Sequence, residues 1–561
     1  MSDAIGSMTI AERIEAAPAR VGVPAEERPA PAANLGRLAQ ALHRVKQACP
    51  MVPVLGIRWM HLRHPLHPVQ EALLRGAGWR AWLERRGPAR ERRRWAGGRW
   101  EYAMLLRRVA HSVITLGVLM VRLIRLRAAL WRELSALSRE RFEVVLRTMC
   151  FGPARLANDQ DFYFGDLQQR LEARGVRTLL VCRDVKETPD WVAYARGHMT
   201  RLPVARLPEL ALVPLSAPLA LWGQQLVACA RLRRLARRLE DPAAKRAARL
   251  ASQDCLAPDS ALSALAYWAG RAIVQRWHPQ AIGTLYEGHA WETCARLGIK
   301  RADPACRTIG YQHTVVFSES LALLAPDREA GERTVPDVVL GLGPVPINLM
   351  RPGHAPHGTA FVRFGSFRYR PVRVEAPADP ARRTVLVTPE GLTPEVERLF
   401  RFVAACAAQL PHDTFILRCH PEVPMEQALR LLPDGLLDLP NIVRSDRRTI
   451  EEDFPRASIL LYRGSSAVLY AVLHGLRPVY YEAPDTRECD PLYAMPGWRQ
   501  RCATPEGLAA RLQADAAQPA AERAAEWRAA AAYVEGCTGP VDAASVDALL
   551  AAVGRQARQG S

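Results

Sequence analysis

The sequence predicts an α/β protein with two doubly wound parallel-sheet domains facing a cleft, preceded by a basic helical segment. Short apolar segments typical of strands alternate with helical segments twice, at 141–350 and again at 381–518, and a Pro- and Gly-rich linker is predicted at 351–380. Such alternation indicates a parallel sheet covered on both faces. Two of these sheets in tandem place a cleft at the carboxyl ends of their strands.

The N-terminal region differs from the rest in composition. Residues 1–34 are rich in Ala, Pro and Glu and lack the apolar core of a signal peptide, which predicts a disordered lead. Residues 35–140 are predicted to be helical, with tryptophans interleaved with arginines. Residues 41–150 carry 22 basic and 7 acidic residues, a net charge of +15 within a formal total of +19. This concentration favours an anionic surface, either acidic phospholipid or nucleic acid, with a solvated arginine-rich face as the alternative.

Three further features of the sequence limit which class of protein this can be. Of the 76 basic residues 72 are arginine, which indicates coding bias, so no nucleic-acid partner is expected. The most apolar run, Val109 to Val121, spans about 13 residues, too short to cross a bilayer but suited to lying on one. The twelve cysteines are scattered without a Cys-x-x-Cys pair, which is typical of reduced thiols in a cytoplasmic protein.

In the first domain, a helix is predicted at Leu167–Arg174, and a long helical stretch at Leu207–Trp277 is broken near Asp241-Pro242 and at Pro258. The predicted strands are Val144–Met149, Arg177–Cys182, Ala281–Tyr286, Thr308–Tyr311 and Val338–Leu342.

Within the linker, Phe361–Phe367 is a further candidate strand. In the second domain a helix is predicted after Gly391, with Thr393 as N-cap and Pro394 at the first helical position. Residues 519–561 are predicted to form a helical tail. The predicted strands are Thr384–Val387, Thr414–Leu417, Asn441–Val443, Ser458–Leu461 and Pro478–Tyr481.

Polar residues follow successive strands of the second domain. The strand ending near Tyr462 leads into an Arg463-Gly464 turn and a helix that opens at Ser465-Ser466, where backbone amides point outward and favour an anion. A cation, a histidine and such a helix start at one sheet edge suit a nucleotide phosphate. The candidate residues are Glu390, Arg418, His420, Pro421, Arg463, Gly464, Ser465, Ser466 and Glu482.

A second group follows two strands of the first domain. Glu287, His289 and Glu292 come after one strand, and Gln312 and His313 come after the next. A carboxylate and an imidazole facing a cleft suit removal of a proton from a hydroxyl nucleophile. The alternative is that Glu292 stabilises the start of its helix and His313 makes a buried hydrogen bond. For Asp159-Gln160-Asp161 a loop role is preferred over metal binding, and no metal or cofactor is expected.

These residues carry a resemblance to a known family. The ordered set Pro389-Glu390-Gly391, His420-Pro421 and Ser465-Ser466 resembles the motifs of bacterial sialyltransferases, polysialyltransferases and capsule Kdo transferases. More closely, four segments resemble a family of bacterial surface carbohydrate biosynthesis proteins; these segments are Glu287–Glu292, Gly310–His313, Gly365–Arg368 and Leu461–Ser466.

The resemblance implies a GT-B fold of two Rossmann-like domains, the first for the acceptor and the second for the donor nucleotide. It also implies a CMP-sugar donor, with His420, Ser465 and Ser466 holding the cytidine phosphate. The acidic-Gly motif usually has two acidic residues, but Pro389 occupies the first position here. Glu287 therefore competes with Glu390 as the catalytic base, with His289 beside it and Glu292, Gln312 and His313 positioning the acceptor.

The predicted function is a metal-independent glycosyltransferase of surface polysaccharide such as capsule or lipopolysaccharide. It moves a nonulosonic acid or Kdo-type sugar to a glycan or lipid-linked acceptor at the cytoplasmic face of the inner membrane. A CDP-polyol phosphotransferase is the second hypothesis and a nucleotide-sugar 2-epimerase a weaker third. The non-enzyme alternative is a GT-B scaffold that recruits glycan assembly proteins.

Overall fold

The computed structural model describes residues 33–62, 68–74, 99–150, 160–184, 205–326, 334–369, 374–433, 435–483 and 486–554. Nearly all of the predicted disordered lead lies outside these residues, as do Trp79, Trp82, Trp95 and Asp159.

The N-terminal helices pack on the first domain. They are α1 (Ala33–Ala48), α2 (Pro68–Leu74), α3 (Arg99–Ala129) and α4 (Trp131–Leu137). Leu38 and Leu42 of α1 share a buried cluster with Leu232 and Ala248 from helices further along the chain. The predicted helical segment is therefore integrated into the body of the protein by apolar burial, the main driving force of such packing.

The first sheet has seven parallel strands in the order β3-β2-β1-β4-β5-β6-β7. Its interior strand β1 is buried at every position, as expected for a parallel sheet with both faces covered. The strands are β1 (Val144–Cys150), β2 (Thr178–Asp184), β3 (Arg206–Pro208), β4 (Ala281–Leu285), β5 (Arg307–Tyr311), β6 (Val338–Gly341) and β7 (Ala360–Arg363).

The helices around this sheet confirm both predicted breaks. Asp241 accepts a hydrogen bond from the amide of Ala243, and Pro242 and Pro258 begin the two following helices. The prediction that the long helical stretch starts at Leu207 is wrong, because Arg206–Pro208 forms edge strand β3. The helices are α5 (Leu167–Glu172), α6 (Glu209–Leu212), α7 (Ala217–Arg238), α8 (Pro242–Asp254), α9 (Pro258–Trp277), α10 (Ala290–Ala302), α11 (Leu321–Leu324) and α12 (Pro344–His354).

The second sheet has six parallel strands in the order β10-β9-β8-β11-β12-β13. Its strands are β8 (Thr384–Pro389), β9 (Thr414–Leu417), β10 (Ile442–Arg444), β11 (Ile459–Arg463), β12 (Arg477–Tyr481) and β13 (Gln500–Cys502). The helices α13 (Thr393–Gln409), α14 (Met425–Leu429), α15 (Ala467–Leu473) and α16 (Pro505–Ala517) lie between or after them. The sequence did not predict β13, a three-residue strand of mostly polar residues.

The C-terminal helices contact both domains. Trp527 of α17 (Ala520–Glu535) packs in the cluster that contains Val472 of α15. Leu549 and Leu550 of α18 (Ala543–Val553) join the core of the first domain instead. Strand β7, from the passage predicted as a linker, likewise belongs to the first sheet. Two parallel-sheet domains with a basic helical segment before them confirm the predicted GT-B-like α/β architecture.

One prediction about the N-terminal helices needs correction. Helix α3 continues past the arginines that bound Val109–Val121, because arginine is a good helix former. Its segment Tyr102–Ala129 is 28 residues long and is long and apolar enough to cross a membrane, with 22% of its apolar window buried in the protein. Length therefore does not exclude a spanning helix.

Candidate functional site

The predicted donor-site residues follow four neighbouring strands of the second sheet. In the strand order β9-β8-β11-β12, the segments after these strands begin at Arg418, Glu390, Gly464 and Glu482 respectively. Because the strands are parallel, all four segments leave the same edge of the sheet. The arrangement places the residues predicted from the sequence side by side.

Two glycines bring three of these segments into contact. A Cβ atom on Gly391 would lie 2.6 Å from Nδ1 of His420, so the backbone of one segment rests against the imidazole of the next. A Cβ atom on Gly464 would lie 2.4 Å from Oε2 of Glu390. Gly464 has φ of +69°, a conformation that glycine adopts readily. The acidic-Gly, His-Pro and Ser-Ser segments therefore form one continuous surface.

The candidate side chains at this edge of the second sheet differ in exposure. Nδ1 of His420 accepts a hydrogen bond from the amide of Glu422 at 3.2 Å, which places the proton of a neutral ring on Nε2. His420 is half-buried, Pro421 and Ser466 are exposed, and Ser465 is 7% exposed. Helix α15 after these serines has seven residues and lacks a side-chain cap, so its dipole adds little to anion binding.

Arg463, predicted to contact the donor phosphate, is instead bonded within the protein. Its Nε lies 2.6 Å from Glu395, its Nη1 donates to the Tyr480 hydroxyl at 2.6 Å, and its Nη2 donates to the carbonyl of Arg487 at 2.6 Å. Burial acts to lower the pKa of Arg463, but its neighbours, above all Tyr480, raise it, so the guanidinium stays charged. With 2% exposure, this side chain is anchored inside the protein and holds the start of the segment after β11.

Arg418 and Glu482 have similar internal partners. Nη1 of Arg418 donates to Asp453 at 2.7 Å and to Ser445 at 3.2 Å, and Nη2 donates to a backbone carbonyl. A carboxylate oxygen of Glu482 lies 3.4 Å from Nη1 of Arg501. Arg418 therefore contacts the segment after β10, whereas the sequence predicted that it would contact the donor phosphate.

At the edge of the first sheet, a carboxylate lies between two imidazoles. Oε2 of Glu287 lies 3.0 Å from Nε2 of His289, and Oε1 lies 2.9 Å from Nε2 of His313. Burial acts to raise the pKa of Glu287, but His313 and His289 hold it well below its usual range. The side chains of Glu287 and His289 are 13% and 19% exposed, against 2% for His313. The result is an ionised carboxylate at the cleft edge, oriented by two loops.

Glu292 and Gln312, predicted to contact the acceptor, lie beneath this surface. Both are fully buried. The carboxylate of Glu292 accepts hydrogen bonds from the amides of Glu287 and Gly288 at 3.1 and 3.0 Å, and burial raises the pKa of Glu292 to about 8. The amide oxygen of Gln312 accepts from the amide of Leu342 at 3.0 Å. These side chains fix the loops rather than present polar atoms to the cleft.

Arg368 and Glu395 support the site without having been assigned a role from the sequence. Nη2 of Arg368 donates to the carbonyl of His313 at 2.8 Å, and its guanidinium lies over the ring of Tyr163. The Gly365–Arg368 motif was the available signal for Arg368. Glu395 pairs with Arg463, and no sequence signal distinguished it from an ordinary first-turn glutamate of α13.

The two sheet edges face each other and are joined by polar contacts. Nη1 of Arg487, in the segment after β12, lies 2.9 Å from Glu319 in the segment after β5. Ser318 donates to Glu488 at 3.2 Å beside this pair. These contacts bridge the two domains. Within the described residues, no group of three or more His, Cys, Asp or Glu side chains could hold a metal ion.

The chain matches no protein-family model and no curated protein. Among solved structures it is similar to the glycotransferase of kitacinnamycin, with 15% identity over 74% of this chain and 99% of that chain and a TM-score of 0.39. It is also similar to UDP-GlcNAc 2-epimerase from Neisseria meningitidis bound to UDP-GlcNAc, with 9% identity over 73% of this chain and 99% of that chain and a TM-score of 0.40. A third similar structure is MurG from Acinetobacter baumannii, with 12% identity over 73% of this chain and 99% of that chain and a TM-score of 0.34.

Proposed function

We propose that the protein is a metal-independent glycosyltransferase that moves a nonulosonic acid or Kdo-type sugar from its CMP-activated form to a glycan or lipid-linked glycan. The observation that carries the proposal is the contact of Gly391 with His420 and of Gly464 with Glu390. These contacts unite the three motifs that resemble those of CMP-sugar transferases. The reaction would serve surface polysaccharide synthesis at the cytoplasmic face of the inner membrane.

In this proposal the donor phosphate lies against His420 and the Ser465-Ser466 turn. CMP gains negative charge as the bond to the sugar breaks, and fixed hydrogen-bond donors stabilise that charge without reorganising. Nε2 of His420 and the hydroxyl and amide groups of the two serines are donors of this kind. Arg463 acts as a positioning residue, because its hydrogen bonds set the path of the loop that carries Gly464.

The proposed base is Glu287, acting with His289. A base must face the acceptor hydroxyl and be ionised, and Glu287 meets the second condition through its two imidazole neighbours. Because its pKa is low, Glu287 would be a weak base if it acted alone. An ionised Glu287 accepts the Nε2 proton of His289, so a proton taken up at Nδ1 of His289 would leave an imidazolium that Glu287 stabilises. Glu390, in contrast, packs against Gly464 on the donor side and is assigned to donor positioning.

Nucleotide binding tests the donor site directly. A ligand that binds the folded state raises its thermal midpoint, so CMP is expected to raise it more than UDP or GDP at equal concentration. His420→Ala should lose most of the CMP effect, while His412→Ala, an exposed histidine in the same domain, should keep it. A preference for UDP or GDP would refute the CMP assignment, and unchanged CMP binding in His420→Ala would refute the site.

Product analysis tests the reaction. Transfer from a CMP-sugar, or its hydrolysis, should proceed in EDTA. The same His-Pro and paired-serine motifs occur in CDP-polyol phosphotransferases, which favours that reaction as the second candidate. It releases CMP from CDP-polyol and leaves phosphorus in the product, as phosphorus NMR would show. If Glu287→Ala and His420→Ala both restored surface glycan in a deletion strain, the protein would be a scaffold rather than an enzyme.

A further inference from the structure

Helix α3 presents an apolar stripe to solvent. Its exposed apolar side chains are spaced by seven, one, four, three and three residues, which keeps them on one side of an α-helix, and each is 46–71% exposed; they are Leu106, Val113, Ile114, Val118, Val121 and Ile124. With a rise of 1.5 Å per residue, the stripe is ~27 Å long. An exposed apolar stripe of this length on a folded domain marks an interaction site.

The opposite face of α3 is fixed to the first domain. Leu119 and Leu123 are buried against Val213 and Leu221 of the helical layer. The hydroxyl of Ser112 accepts a hydrogen bond from the indole of Trp222 at 3.0 Å. A helix that crossed a bilayer would have to leave these contacts. The packing therefore restricts α3 to lying along a surface with its stripe outward.

The charges around the stripe indicate which kind of surface the stripe contacts. From Tyr102 to Arg132 the sequence contains six arginines and no aspartate or glutamate. Four of these arginines are exposed, Arg107 near one end and Arg122, Arg125 and Arg132 near the other. Guanidinium groups at the ends of an apolar stripe match lipid phosphates beside hydrocarbon. Trp131 is 67% exposed at the same end, and tryptophan favours the membrane interface.

We propose that α3 lies in the plane of an anionic lipid bilayer, with its apolar stripe in the outer part of the hydrocarbon and its exposed arginines at the headgroups. Two further apolar side chains, Leu219 and Val227 of α7, the helix that carries Trp222, are 60% and 47% exposed. A second copy of the chain fits less well, because pairing two stripes would bring arginines together without carboxylates to neutralise them. The proposal does not depend on the proposed reaction.

Vesicle sedimentation of the full chain tests the proposal. Phosphatidylcholine vesicles with about 30% phosphatidylglycerol should bind the protein, and binding should weaken with salt and with removal of the anionic lipid. The variant Ile114→Glu/Val118→Glu should bind at least about tenfold more weakly, since carboxylates would enter the apolar layer. Val443→Glu, at another exposed apolar position, is the matched control and should bind like the wild type.

The outcomes separate three arrangements. Equal binding by wild type and Ile114→Glu/Val118→Glu, or no vesicle binding by the wild type, would overturn the proposal. A dimer that the same substitutions dissociate, in the absence of vesicle binding, would assign the stripe to a second copy. Membrane-bound protein that resists extraction by alkaline carbonate would indicate a spanning helix. Unchanged thermal midpoints must accompany any loss of binding, since all the substituted positions are exposed.

Discussion

The contact between Gly464 and Glu390 makes a quantitative prediction. Alanine at position 464 must adopt φ near +69°, and its Cβ would lie 2.4 Å from Oε2 and 2.8 Å from Cβ of Glu390. The left-handed conformation costs ~1–2 kcal/mol for a residue with a Cβ. The carboxylate can rotate away but the Glu390 Cβ cannot, and such overpacking costs ~1–3 kcal/mol. We therefore expect Gly464→Ala to lower stability by ~2–5 kcal/mol.

A double-mutant cycle with Glu390→Gly separates the two contributions. Removing the Glu390 side chain should recover the steric part, giving a coupling of ~1–3 kcal/mol, and leave the conformational part. Gly358→Ala is the matched control, because Gly358 has φ of +65° and an added methyl group there would meet nothing within 4 Å, so only the conformational cost applies. The free energy of unfolding of each variant is measured in urea. Additivity within ~0.5 kcal/mol for the cycle would refute the contact.

Three other expectations concern buried charges. Arg463→Ala should destabilise by ~1–3 kcal/mol in urea, since its buried acceptors lose their donor while Glu395 keeps Arg398 as a partner. The exposed Arg401→Ala should cost less than ~1 kcal/mol. The pKa of Glu292 is about 8 when folded, above about 4.3 when unfolded, so stability should fall as pH rises between these values and Glu292→Gln should flatten the fall. If Glu287 alone is the base, kcat/KM should stay level with falling pH until well below the usual glutamate pKa, whereas a histidine base would make it fall near pH ~6.5.

The fold could be predicted where burial dominates the sequence pattern. Strands such as Val144–Cys150 and Ile459–Arg463 are apolar runs buried on both faces, and their predicted ends lie within two residues of the observed ones. Strands β3 and β13 were missed because each has three residues and lies at a sheet edge, where pairing with one neighbour rather than composition decides the structure. Helix α3 is longer than the apolar run within it because arginines continue a helix rather than end it.

The grouping of the candidate residues at one sheet edge could be predicted from the sequence, but which of their side chains face the cleft could not. Parallel strands deliver their following residues to one edge, so the grouping of His420 with Gly464 follows from strand order. Which polar side chains face the cleft depends on partners distant in sequence. Arg463 ends a buried strand, so its donors had to be satisfied inside the protein, and Glu395 and Tyr480 supply the acceptors.

The contacts of Arg463 also connect the two domains. Its Nη2 donates to the carbonyl of Arg487, whose guanidinium pairs with Glu319 in the first domain. Glu319 lies six residues after His313, which in turn contacts Glu287. A displacement of the first-domain segment would therefore move the carbonyl that holds Arg463, and with it the loop of Gly464. The proposed glycosyl transfer needs donor and acceptor groups at a fixed separation, and these polar contacts between the two edges would help to set it.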